Sequence, residues 1–171
     1  MGDAGLWVAV LTGGTAVIAS WVTSRGHTQA ARLQAEVAAA TQEEARRRET
    51  RRASYLAFIE QAHLMGVEYR KTPPLLEIED PEHRRLRLEE HRERLREVFG
   101  PFRHRCQVVA LDGPSMTVDA GHRVFVTSRT VYMTLGDIAA GICEPSAYFQ
   151  AIDDYWTSMS EFVEAVRQEG A

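Results

Sequence analysis

The chain has 171 residues, 44% of them hydrophobic, and a formal net charge of −4, which leaves room for one ordinary domain with a packed core plus an appendage. Its two cysteines, Cys106 and Cys143, lack metal-type spacing, which excludes a zinc-finger scaffold and marks them as reduced residues in apolar surroundings. The charge is uneven: residues 82–105 carry eight Arg against five Glu, whereas 106–171 carry three Arg against nine acids, a split that fits either an anion-facing element or two mutually attracting faces of a bundle.

In chain order, the first element is "GLWVAVLTGGTAVIASWV". No charge falls between Asp3 and Arg25, a stretch of roughly 31 Å as a helix, close to the thickness of a bilayer core. Trp7 and Trp21 stand near its two ends, where indole rings favour the headgroup region. A secretion signal would open with Lys or Arg; a soluble core helix is the other alternative, because Gly13-Gly14 and several hydroxyl residues make the span only moderately hydrophobic, and the reading preferred is a transmembrane helix within residues 1–24. Arg25, Arg32 and "ARRRETRR" follow it, and the excess of positive charge on that flank predicts the N-terminus outside and the remainder in the cytoplasm. Gly5, Ala9 and Gly13 recur every four residues, a small-residue face suited to helix packing and dimerisation.

Residues 25–52 read as a helical stalk or thin coiled-coil seam, because Leu33 and Val37 are its only large apolar residues. From residue 53 the pattern thickens: Tyr55, Phe58, Ile59, Ala62, Met65 and Tyr69 return at helical spacing and open a bundle domain over 53–171. Prolines 73, 74 and 81 break the helix, and Asp80-Pro81 is a cap followed by a first-turn proline. The next helix carries Leu86, Leu88, Leu95, Val98, Phe99, Phe102, Val109 and Leu111, with Gly100-Pro101 expected to kink or split it. Residues 117–134 are rich in β-branched residues, yet Val118, His122, Phe125, Tyr132 and Leu135 share a helical face and a lone strand would have no partner, so helix is preferred to strand. The closing helix is the clearest, with Tyr148, Phe149, Ile152, Tyr155, Trp156, Met159, Phe162, Val163 and Val166 on one stripe. The fold class expected is all-α: an N-terminal transmembrane helix, a long helical stalk and an antiparallel four-helix-bundle-like domain.

This order of segments, with "RRASYLAFIEQA", a Glu/Arg-rich helix, the "LDGPSMTV" turn and an aromatic closing helix, resembles that of uncharacterised small single-pass membrane proteins of actinobacteria. The resemblance implies a cytoplasmic four-helix domain, and no activity travels with it.

No phosphate-cradling glycine loop, serine elbow or zinc-type cysteine pair is present. One constellation has the spacing of a carboxylate/histidine metal bundle: Glu60-x-x-His63 and Asp119-x-x-His122. The Asp in place of Glu and the lack of patterned supporting acids make it the alternative reading, with His63 bordering the core and His122 packed partly buried. Arg46, Arg47, Arg48, Arg51 and Arg52 form a basic cluster suited to anionic lipid, although intermixed Glu43, Glu44 and Glu49 suit a solvated helix equally. Without interleaved aromatics or a reading module, nucleic acid is not an expected partner. The function expected is a membrane-tethered interaction or scaffold module without enzymatic activity or cofactor. Its expected partners are the lipid bilayer, further copies of itself through the transmembrane and stalk helices, and an unidentified protein.

Overall fold

The computed structural model describes the backbone of residues 3–169 and the side chains of 32–169 apart from Asp112. Five helices are present among the described residues: α1 (Asp3–Tyr69), α2 (Pro73–Leu76), α3 (Pro81–Asp112), α4 (Ser115–Ala139) and α5 (Ala147–Glu169). The expected membrane span, with Trp7, Trp21, Arg25 and the Gly5, Ala9, Gly13 face, lies outside the residues whose side chains are described. Among the described residues no helix is long and apolar enough to cross a membrane. The chain divides into two compact units, Met1–Arg48 and Glu49–Ala171. In the first, residues 32–48 are exposed throughout, Leu33 and Val37 included.

In the second unit α3, α4, α5 and the final part of α1 pack as a four-helix bundle. Chain neighbours around it run in opposite directions. Tyr55 of α1 reaches Glu169 at the end of α5, whereas Tyr69 of α1 meets Tyr148 at its start. The short α2 carries the chain across one end, burying Leu76. Aromatic rings fill the centre: Phe58 lies 4.4 Å from Phe162 and 5.8 Å from Phe102 between ring centroids, and Tyr69 meets Tyr155 edge-on at 5.5 Å. Burying each such side chain contributes on the order of 2 kcal/mol, so this cluster dominates cohesion.

The helix ends follow local chemistry. At the end of α1, the carbonyl of Tyr69 accepts from the Thr72 amide at 3.0 Å and from the Tyr148 hydroxyl, so a terminal acceptor is satisfied by both turn and bundle. Asp80 caps α3 as its sequence implied, accepting from the amides of Glu82 and His83, with Pro81 in the first turn. Pro114, in extended conformation, opens α4.

Two expectations need correction. Gly100-Pro101 does not split its helix: α3 runs unbroken from Pro81 to Asp112 with Pro101 inside it. Proline removes one amide donor, a cost of about 3 kcal/mol in a helix interior, but Phe102 beside it is fully buried and the flanking turns are anchored by Leu95 and Val109. Residues 117–134 are indeed helical, but the buried face of α4 is displaced from the expected one. It consists of Thr117, Ala120, Gly121, Val124, Ser128, Val131, Leu135 and Ile138, whereas His122 is exposed and Val118, Phe125 and Tyr132 are half-buried. Small residues mark the true seam: a Cβ on Gly121 would lie 3.4 Å from both Phe162 and Val109, close enough to show how tightly α3 and α5 approach there.

Candidate functional site

The polar groups inside the bundle tie its helices together. The Tyr155 hydroxyl donates to the Ala62 carbonyl, crossing from α5 to α1. Tyr69 joins α1 to α4 by donating to the Ser128 carbonyl at 2.8 Å, with the Ser128 hydroxyl at 2.9 Å. Burial pushes the Tyr69 and Tyr155 hydroxyls far above the ordinary phenol range, so both remain neutral donors.

Two titratable residues that the sequence reading passed over hold the ends of the bundle. Buried His91 on α3 pairs through Nε2 with the Thr72 hydroxyl at 3.1 Å. Burial lowers its pKa, reinforced by the charges of Arg94 and Lys71 and opposed by Glu68. At the other end Glu169 accepts from Arg51 at 2.7 Å, from the Tyr55 hydroxyl at 2.7 Å and from the Thr117 hydroxyl at 3.1 Å, linking α5 to α1 and α4. Burial raises the carboxyl pKa, but these three donors outweigh it and hold the group below its usual range. A periodic apolar count signals neither residue, because each is a polar side chain whose partner lies far away in sequence.

The candidate metal residues are not gathered. Glu60, His63, Asp119 and His122 are all exposed, as are Glu97 and Asp153, the acids that could complete such a set. His63 is exposed beside the ring of Trp156, and His122 stacks on Phe125 in the open rather than packing partly buried. No group of three or more metal-type side chains occurs among the described residues. Cys106 is half-buried with its thiol pushed up to about 12 by burial, and Cys143 is likewise a free thiol. Cys106 is therefore a poor nucleophile.

The arginine cluster divides by role. Arg47 and Arg48 pair with Glu43 and Glu44 one turn back, and Arg46 and Arg52 are exposed. Arg51 turns inward to Glu169, which removes it from the solvated set. The basic stretch of α3 resolves differently from a simple attraction between bundle faces. Arg85, Arg87 and Arg96 pair with Glu82, Glu89, Glu90 and Glu93 on the same helix, and among the described residues no ion pair joins α3 to α5.

A concavity lies where α3 faces α4. A cleft of about 420 Å³ is lined by Arg96, Phe99 and Arg103 from α3 and by Phe125, Arg129, Tyr132 and Met133 from α4. The α3 residues fall at i, i+3 and i+7, and the α4 residues at i, i+4, i+7 and i+8, so each set shares one helix face. Phe99 and Phe125 meet across the floor at 5.6 Å. Tyr132 is held twice: the Arg92 guanidinium lies 4.5 Å from its ring centroid, and Arg96 donates to its oxygen at 2.8 Å. Chemically this is an apolar, aromatic bed with cationic walls.

The described fold is thus an all-α four-helix bundle. No protein-family model, curated protein or solved structure matches the chain.

Proposed function

We propose that the protein is a membrane-tethered helical interaction module without enzymatic activity. In this reading the uncharged N-terminal segment holds it in the bilayer with its N-terminus outside. A stalk follows, and residues 53–171 form a cytoplasmic bundle that works through its outer surface. The observation that carries the proposal is the commitment of most interior polar groups, Arg92 Nε being the exception among the described residues. Tyr69, Tyr148, Tyr155, His91 and Glu169 each bind a neighbouring helix or turn, which suits a structural rather than a catalytic interior. The tether is supported by the uncharged length between Asp3 and Arg25 and by the arginines after it. Leu33 and Val37, exposed one turn apart at 66% and 61%, support self-association along the stalk as well as capture of a protein partner.

The test uses the full chain with a reporter at its C-terminus that is active only in the cytoplasm. The protein is expected to sediment with membranes, to resist salt and alkaline washes, to dissolve in detergent and to show an active reporter. Recovery in the supernatant, or a silent reporter on sedimented protein, overturns the tether or its orientation. Cross-linking in the intact membrane is expected to trap an oligomer or a partner, and a lone monomer there refutes the interaction role.

A further inference from the structure

We propose that the cleft between α3 and α4 is a binding site for a small aromatic anion, a planar apolar ring system carrying one carboxylate or phosphate group. The proposal goes beyond the interaction role and holds whether or not the chain is membrane-bound.

Three observations select this ligand class. The first is size: a volume of about 420 Å³ lies within the range of small-molecule pockets and below what a folded partner would occupy. The second is the floor. Phe99, Phe125 and Tyr132 present ring surfaces, and exposed Met133 supplies an adaptable edge, a bed that favours a flat apolar body over an inorganic ion. The third is charge. Arg103 and Arg129 line the cleft from α3 and α4 respectively, and neither has an ion-pair partner among the described residues. Glu93 neutralises Arg96 at 2.6 Å, so among the lining residues the unpaired positive charge resides on Arg103 and Arg129, with Arg92 behind the Tyr132 ring.

Guanidinium groups bind carboxylate and phosphate through paired donors, which makes them the anion-selective element. Tyr132 adds a directed donor: its oxygen already accepts from Arg96, which leaves its own proton to donate to an anionic oxygen in the cleft. The ring of the ligand would stack on Phe99 and Phe125 while its anionic group pairs with Arg103 or Arg129. Two cations over so short a length are too few for a nucleic-acid track, whose affinity comes from many phosphate contacts.

The probes are naphthalene-2-carboxylate, 2-naphthyl phosphate and the uncharged naphthalene-2-methanol. They are titrated by calorimetry into the full chain, in zwitterionic nanodiscs if it purifies with membranes and in buffer otherwise, with protein-free samples subtracted. Saturable one-to-one binding of at least one anion is expected, weakened about tenfold or more for the uncharged alcohol and for the Arg103→Gln/Arg129→Gln double variant. Both substitutions lie at exposed positions, and unchanged helicity by circular dichroism establishes that the double variant is folded. The control Arg94→Gln/Arg105→Gln changes exposed arginines outside the cleft and is expected to bind like the parent. The proposal is overturned if neither anion binds saturably, if the alcohol binds as well as the anions, if the cleft variant binds unchanged, or if the control weakens binding equally. Carboxylate and phosphate arms that differ identify the head group.

Discussion

A methyl group placed on Gly66 would sit 2.3 Å from the Cη2 atom of Trp156, so α1 uses glycine where an indole from α5 lies against its backbone. The ring has little freedom to retreat: the Arg70 guanidinium lies 5.2 Å from its centroid, and Tyr155 meets it at 5.3 Å. Gly66→Ala gains up to about 1 kcal/mol in helix propensity, but overpacking a fitted site costs about 1–3 kcal/mol, so net destabilisation is expected. Denaturant melts with tryptophan emission check this, and an equally or more stable variant would show that the indole moves freely. From sequence alone this glycine is only a weak helix breaker. Its role depends on Trp156, ninety positions later in the chain.

At the scale of elements, α3 shows tertiary packing prevailing over local propensity. Gly100 is exposed and, its chain neighbours apart, nothing lies within 4 Å of a Cβ built there, but the ring of Pro101 crowds the Cβ of any helical residue that precedes it. Gly100→Ala therefore sets a gain of about 0.5–1 kcal/mol from reduced backbone entropy of the unfolded chain against that clash, and no net stabilisation is expected. An unchanged or lower Tm with unchanged helicity is the readout, and a rise of several degrees would show that Pro101 leaves room for a side chain before it. Helix α4 teaches a different lesson. Its periodicity is legible, but the face read from Val118, His122, Phe125, Tyr132 and Leu135 is displaced from the buried one. The rings of Phe125 and Tyr132 lie at the edge, where they build the cleft, while Thr117, Gly121 and Ser128 occupy the seam. Helix α5 was legible nearly throughout: Tyr148, Tyr155, Met159 and Phe162 are buried, and of its stripe Phe149 alone is exposed, at 51%.

Across the whole molecule, the two end clamps make stability depend on pH with one sign. His91 has a folded pKa below the ordinary 6.5, so its contribution is complete above that value and declines as the pH falls through the lowered one. Glu169 likewise contributes fully above 4.5 and loses its contribution as the pH falls through its lowered folded value. The bundle is therefore expected to weaken as the pH falls below 6.5 and further as it falls below 4.5. Glu169→Gln should be less stable at neutral pH by roughly 1–2 kcal/mol, having lost charge-assisted bonds to Arg51 and Tyr55, yet fall less steeply in acid. An acid slope equal to the parent's would remove Glu169 as its source. Glu169 ties the end of α5 to α1 and α4, and the cleft lies where α4 faces α3.

By itself the sequence determined the all-α class, the breaks at Pro73, Pro74 and Pro81, the Asp80 cap and the apolar stripes of the first and last bundle helices, because each depends on residues within a few turns of one another. Only the tertiary structure decided which face of α4 is buried, that α3 survives Pro101, that Arg51 turns toward Glu169 while Arg47 and Arg48 pair along the helix, and that Arg103 and Arg129 share a cleft. These outcomes depend on helices brought together from distant parts of the chain, where side-chain size and charge pairing are judged against neighbours that no local pattern contains.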